Sequence, residues 1–242
     1  MPLPGAPFEV RWLPSTTSTM DVAAGLAGDG ARHGTVVVAD EQTSGRGRRG
    51  AAWASPPGAG LYLSFVARPS STNLSLLTLA AGVGVRQGIQ QASGLGADLK
   101  WPNDLIIGRR KLAGILAEGL AIGAPEQSVI IGIGINMLKA AYPQEVAARA
   151  TSLEDELGRA IDREELLGAV LNALAERLGQ LDGSPGDILH AWRAGSPNAV
   201  GTRVDWDGHA GVTAGIDDTG ALLVKTTAGI ERIIAGELTW HL

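Results

Sequence analysis

Apolar positions along this chain switch between the period of two expected of strands and a period near 3.6 expected of helices, and the switches outline its elements. Phe8–Leu13 reads as a short strand. Pro14 and the run Ser15–Thr19 then start a helix, with a hydroxyl available as its N-cap, that ends near Gly28–Gly30. Thr35–Ala39 (TVVVA) is a β-branched run with the look of a buried strand, and Leu61–Ala67 is a second one. Between them lies the loop Glu41–Gly60. Asn73 caps a long helix in which Leu76, Leu77, Ala80, Val83 and Ile89 follow the helical period only roughly. Leu99–Trp101, Leu105–Ile107 and Ala113–Glu118 read as strands, and so does Ser128–Ile135, with glycines at alternate positions. Asp162 and Glu165 form a capping box for a helix with Leu167, Val170, Leu171, Leu174 and Leu178 on one face. Ser184-Pro185 opens a last helix that stops at Gly195.

The texture changes at Ser196-Pro197. From Gly201 to Leu242 short strands alternate with turns, a spacing that predicts a small antiparallel barrel of about five strands. We therefore expect two domains, 1–195 and 196–242. The earlier mixture of strands and helices is not a strict βαβα alternation, so the fold class is α+β with a mixed sheet.

Composition narrows the function classes. The chain of 242 residues has no cysteine, which excludes disulfides and thiolate zinc sites and fits a reducing, cytoplasmic setting. Its four histidines are scattered, so no histidine metal motif forms and no metal ligands are assigned. No apolar run approaches the length that spans a bilayer. The N-terminus, MPLPGAPFEVRW, lacks the pattern of a signal peptide. The net charge of −5 argues against a general nucleic-acid binder. Yet from Gln42 to Ala97 there is no acidic residue, while Arg46, Arg48, Arg49, Arg68 and Arg86 fall in that stretch. An acidic protein with one acid-free basic segment is arranged to receive a negative ligand there.

Two words carry the chemistry. Gly45–Gly50 (GRGRRG) formally matches the dinucleotide fingerprint, but Pro56 and Pro57 block the helix which that fold requires after it. The alternatives are a solvated surface loop or a flexible anion-binding loop with Trp53 as a stacking plate. Two of the four lysines, Lys100 and Lys111, flank the turn signature Pro102-Asn103-Asp104, so they come near each other if the flanking strands form a hairpin. Asn136 ends the strand SVIIGIGI, and Gly132 and Gly134 leave room for something to lie against it.

Ser18-Thr19, ADEQTSGRGRRGAAW, GLYLSF, KWPND, RRKLAGIL and GIGIN occur in this order. Together they resemble the catalytic domain of biotin–protein ligases, a class II synthetase-like fold. The C-terminal segment is similar to that family's small barrel of the Src-homology type. The resemblance implies activation of biotin by ATP to biotinyl-5′-AMP, then transfer to a lysine of a biotin carboxyl carrier domain, with Mg2+ alongside ATP. It implies a catalytic set of Lys111, Arg48 and Asp104, with Lys111 bridging the biotin carboxyl and the α-phosphate. Ser18, Thr19, Met20, Gln42, Gly45, Arg46, Gly47, Arg48, Lys111 and Gly114 match biotin-binding positions. Arg46, Arg48, Trp53, Lys100, Asn103, Lys111 and Asn136 match ATP-binding ones.

Such chemistry needs these residue types, because a carboxylate and a triphosphate repel each other unless fixed cations neutralise both. Asp104 is a base for the incoming lysine, a magnesium contact or a turn residue. Met20 stands where the family often has Asn, and Ala51 and Ala52 replace more basic residues. Only fourteen residues precede Ser15, too few for the DNA-binding domain some members carry, so neither DNA nor membrane is an expected partner. A lipoate ligase and a non-enzymatic ligand sensor or nucleic-acid binder are the alternative readings. Glycines and mutually repelling arginines predict that the loop Ser44–Gly60 stands open and mobile until an anion binds.

Overall fold

A computed structural model of the chain describes residues 8–70, 73–123 and 127–242. Residues 1–7 of the N-terminal segment, read as lacking a signal-peptide pattern, lie outside them. The first sheet contains β1 (Glu9–Leu13), β2 (Thr35–Ala39), β3 (Gly60–Ala67), β4 (Asp98–Lys100), β5 (Asp104–Ile107), β6 (Arg110–Leu120) and β7 (Ser128–Asn136). Its strand order is β1-β2-β3-β7-β6-β5-β4, parallel only between β1 and β2. Helices α1 (Thr19–Gly28), α2 (Leu77–Ser93), α3 (Leu153–Leu157), α4 (Arg163–Gly183) and α5 (Pro185–Gly195) complete this part. The mixed α+β class is as expected. A short 3-10 turn, Leu74–Leu76, precedes α2, and α3 went unread in the sequence because five residues show too little period.

Side-chain alternation assigns each face of the sheet. Val129, Ile131, Ile133 and Ile135 of β7, with Val36, Val38, Leu61, Leu63 and Phe65, enter the large core shared with α2 and α4. Ile130, Val37 and Val66 point the other way and meet Met20, Ala23 and Ala27 of α1. Helices α2 and α4 approach closely at two glycines. A Cβ at Gly84 would sit 2.8 Å from Leu174 Cα, and one at Gly88 2.5 Å from Val170 Cα.

The second sheet contains β8 (Val200–Trp206), β9 (His209–Ile216), β10 (Leu222–Thr226), β11 (Gly229–Ile233) and β12 (Thr239–Trp240), in the order β11-β10-β9-β8-β12. This corrects the expected barrel. The five antiparallel strands are present, but β11 and β12 lie at opposite edges and no pairing joins them among the described residues. A two-residue β12 is too short to carry a closing ladder on both sides. Nor is this sheet an appendage. Val204, Ile216, Leu222, Val224 and Ile233 belong to the large core, Ser196 Oγ donates to Leu99 O at 2.7 Å, and Trp101 Nε1 donates to Gly220 O at 3.0 Å. Gly220 has φ +81°, which favours glycine, and it packs closely against the ends of Leu79 and Leu76, 2.8 and 3.0 Å from where a Cβ would sit. No helix among the described residues is long and apolar enough to cross a membrane.

The turn that presents Gly220 is organised by Asp217. Its carboxylate accepts from the Thr219 N–H (2.9 Å) and hydroxyl (2.8 Å), the Ala221 N–H (3.0 Å) and Arg232 Nε (2.6 Å). Burial opposes its charge, but these hydrogen bonds outweigh burial and hold the group down at about 2. A depressed carboxyl stabilises the fold above its unfolded value of about 4, and that contribution is lost as pH falls through the folded value. Asp217→Asn should therefore cost about 1 kcal/mol in urea unfolding at neutral pH. The gap from wild type should shrink as pH falls from about 4 toward 2.

Candidate active site

On the α1 face of the sheet lies a cleft of about 540 Å³. The N-terminus of α1 supplies Ser18, whose hydroxyl accepts from Met20 N at 3.3 Å as the N-cap, and Thr19 beside it. The strand floor is β7 and β6. Gly114, Gly132 and Gly134 share the cleft-facing register, since Gly114 pairs with Gly134 across the two strands. The room expected over these glycines exists and is filled. A Cβ on Gly132 would meet Met20 Sδ at 2.7 Å, and one on Gly134 would meet the Trp53 indole at 2.5 Å. Trp53 Nε1 is buried without a hydrogen-bond partner, and Lys111 Nζ lies 5.2 Å from the ring centroid.

The loop is a hairpin. Gln42 N donates to Ser55 O (3.1 Å), Trp53 N to Gly45 O (2.9 Å) and Gly47 N to Ala51 O (2.7 Å). Gly45 is needed where the two arms cross, because a Cβ there would lie 2.4 Å from Trp53 O. The loop thus differs from the open segment expected, and the reason lies in partners far away in sequence. Arg46 pairs with Asp21 at 3.0 Å and Glu118 at 3.2 Å. Arg48 donates to Asn103 Oδ1 at 3.3 Å and Gly236 O at 3.1 Å. These acceptors offset the repulsion among the arginines that sequence spacing alone suggested. Burial pushes the Arg48 guanidinium down, while Asp104 and Glu237 favour its charge.

Lys100 on β4 and Lys111 on β6 come near each other as anticipated, but from the two sides of β5 rather than across one hairpin. Asp104 holds Lys111 Nζ at 2.6 Å and Lys100 Nζ at 3.2 Å. Asn103 is built into the sheet edge, its Nδ2 donating to Ile115 O at 2.7 Å. Of the sequence-predicted residues, Ser18, Thr19, Met20, Gln42, Arg46, Gly47, Arg48, Trp53, Lys100, Asn103, Asp104, Lys111 and Gly114 line the cleft. Gly45 and Asn136 do not. Asn136 is 4% exposed, and its amide donates to Thr151 O (2.9 Å) and Lys111 O (3.4 Å), which ties down the strand that carries Lys111. The sequence reading missed Glu237, Leu238 and Trp240, which form one wall of the cleft from the second sheet. No local signal in the sequence distinguishes Trp240 from a packing residue.

Residues 12–136 match the biotin/lipoate A/B protein ligase family, and residues 210–238 match the biotin protein ligase C-terminal domain. The chain belongs to this family. It is 37% identical over 230 residues to the bifunctional ligase/repressor BirA of Bacillus subtilis, covering 92% of this chain and 71% of that protein. It is 36% identical to the biotin–[acetyl-CoA-carboxylase] ligase of Paracoccus denitrificans, covering 93% and 95%. The solved Aquifex aeolicus biotin protein ligase in complex with biotin and ATP superposes with a TM-score of 0.83 at 32% identity, covering 96% of this chain and 98% of that one. In the family frame, the glycine floor under Trp53 is the contact most easily tested. Gly134→Ala should cost about 1–3 kcal/mol by overpacking. In a Trp53→Ala background, the same substitution should cost little in denaturant unfolding, because the atoms it meets are gone.

Proposed function

We propose that this protein activates biotin with ATP and transfers it to a protein lysine, the acceptor being a biotin carboxyl carrier domain. The observation that carries the reading is the convergence of Lys100 and Lys111 on Asp104, beside the arginine hairpin, in one cleft. Two anionic substrates need such a set of fixed cations. In the free protein Asp104 occupies the lysines. When the biotin carboxylate and the α-phosphate enter, Lys111 turns to them and bridges the two. A carboxylate oxygen then attacks phosphorus, the bond to pyrophosphate breaks, and biotinyl-adenylate forms. In the second step the acceptor amine attacks the acyl carbon and AMP leaves with the bonding pair. In this reading Asp104, released from Lys111, takes the amine proton. Arg46 and Arg48 exchange their protein acceptors for the adenylate, and the hairpin shields a hydrolysable anhydride from water.

Magnesium fits as the counter-ion of the ATP phosphates. Among the described residues no cluster of three acidic or histidine side chains forms a cage. Asp104 and Glu237 are the carboxylates lining the cleft, and Mg2+ commonly binds through one or two carboxylates plus substrate phosphates. Asn136 supports the site through the Lys111 backbone in this reading, rather than by touching the nucleotide.

The deciding experiment incubates the protein with ATP, a carrier domain and either biotin or lipoate, and reads the carrier by mass spectrometry. A biotinyl adduct supports the reading. A lipoyl adduct or none would replace it with lipoate ligation or ligand sensing. Lys111→Ala should cripple adenylate formation, not just transfer, so biotin-dependent pyrophosphate release should fall about a hundred- to a thousandfold, the scale of losing a key charge stabiliser. Release near the wild-type rate would remove Lys111 from the first step. Arg48→Gly should weaken retention of the adenylate more than its formation, because the lysines remain. The escaped intermediate should then label lysines on bystander proteins. Labelling confined to the carrier would assign retention to another group.

A further inference from the structure

A chain of hydrogen bonds runs from the sheet floor to the loop, and its direction can be deduced by counting hydrogens. Gln42 Oε1 accepts from both Thr19 N (2.8 Å) and Thr19 Oγ1 (3.0 Å). The Thr19 hydroxyl hydrogen is thus committed to Gln42. Its contact with Ser64 Oγ at 2.8 Å must then have Ser64 as the donor. At the other end Gln42 Nε2 donates to Ser55 Oγ (2.8 Å), and Ser55 donates to Trp53 O (3.2 Å). Every hydroxyl points the same way: Ser64 to Thr19 to Gln42 to Ser55 to Trp53. Ser64 is 0% exposed and Ser55 5%, so water does not compete for these bonds.

The consequence falls on Gln42. Both lone pairs of its oxygen and one of its two amide hydrogens are used within the protein. What it has left for the cleft, which it lines, is one N–H. We infer that Ser55 and Ser64 are positioning residues that lock Gln42 as a hydrogen-bond donor, so the cleft selects a ligand presenting an acceptor at that point and rejects one presenting a donor. The inference rests on the biotin reading, in which the acceptor is the carbonyl oxygen of a cyclic urea. A cyclic guanidine, with N–H in place of that oxygen, would set donor against donor. Ser55 has a second effect. It bonds both Gln42 and the arm carrying Trp53, so the ring-reading amide and the loop base share one hydroxyl. Neither serine was singled out in the sequence, where each looks like an ordinary loop or strand residue.

The test is biotin-dependent ATP–pyrophosphate exchange by the full chain, with biotin and with 2-iminobiotin, its cyclic guanidine analogue. Wild type should prefer biotin strongly. Ser55→Ala leaves Gln42 free to swing away from a donor. It should raise KM for biotin about tenfold, the scale of one neutral hydrogen bond, with kcat within about twofold. It should also narrow the preference for biotin over 2-iminobiotin by about tenfold. Ser64→Ala, which leaves the loop base intact, should move both quantities the same way by about threefold and decides the matter if Ser55→Ala does not fold. A preference unchanged in the folded variants, or a loss confined to kcat, overturns the inference. If wild type itself shows no biotin-dependent exchange, it is the functional reading that fails.

Discussion

Strand β7 is built so that every second side chain is a branched aliphatic and the positions between are mostly glycine, and the rest of the molecule depends on that alternation. Val129, Ile131, Ile133 and Ile135 anchor the sheet to α2 and α4. On the opposite face, Gly132 and Gly134 remove the Cβ atoms that would keep Met20 and Trp53 away from the backbone. A strand with side chains on both faces would bury equally well but would leave no floor for a cleft. The same strand therefore stabilises the fold with one face and opens the site with the other.

Upon that floor the site is assembled from cations that already have partners. Lys111 and Lys100 rest on Asp104, Arg46 on Asp21 and Glu118, and Arg48 on Asn103 and a backbone carbonyl. In the proposed reading, substrate binding is an exchange of one anion or acceptor for another rather than the filling of a bare positive pocket. Its free energy is the difference between two sets of contacts. The exposed ion pairs of Arg46 hold it only weakly, which makes them easy to exchange. Trp53 Nε1 is left unsatisfied, at a cost of roughly 1–3 kcal/mol.

The second sheet completes this arrangement. Its apolar residues continue the main core, the turn at Gly220 accepts the Trp101 indole, and Gly236–Trp240 reaches the cleft beside Arg48. A loop arginine bonded to a carbonyl of the C-terminal segment ties the hairpin to that segment.

The sequence by itself determined the α+β class, nearly every strand and the long helices, because burial periodicity and capping are local properties of a few neighbouring residues. It also determined the main cluster of the site. Within KWPND the pairing of Lys100 with Asp104 is local, four residues apart across a turn, and so was legible in the spacing. Only the tertiary structure decided which partners the loop arginines find, because Asp21, Glu118 and Gly236 lie far from them along the chain. It decided that Asn136 faces Thr151 and the Lys111 backbone, that the five C-terminal strands stay an open sheet, and that Trp240 lines the cleft. Each of these depends on long-range packing, where a side chain's role is set by what lies across a core or an interface, and sequence spacing carries no record of that distance.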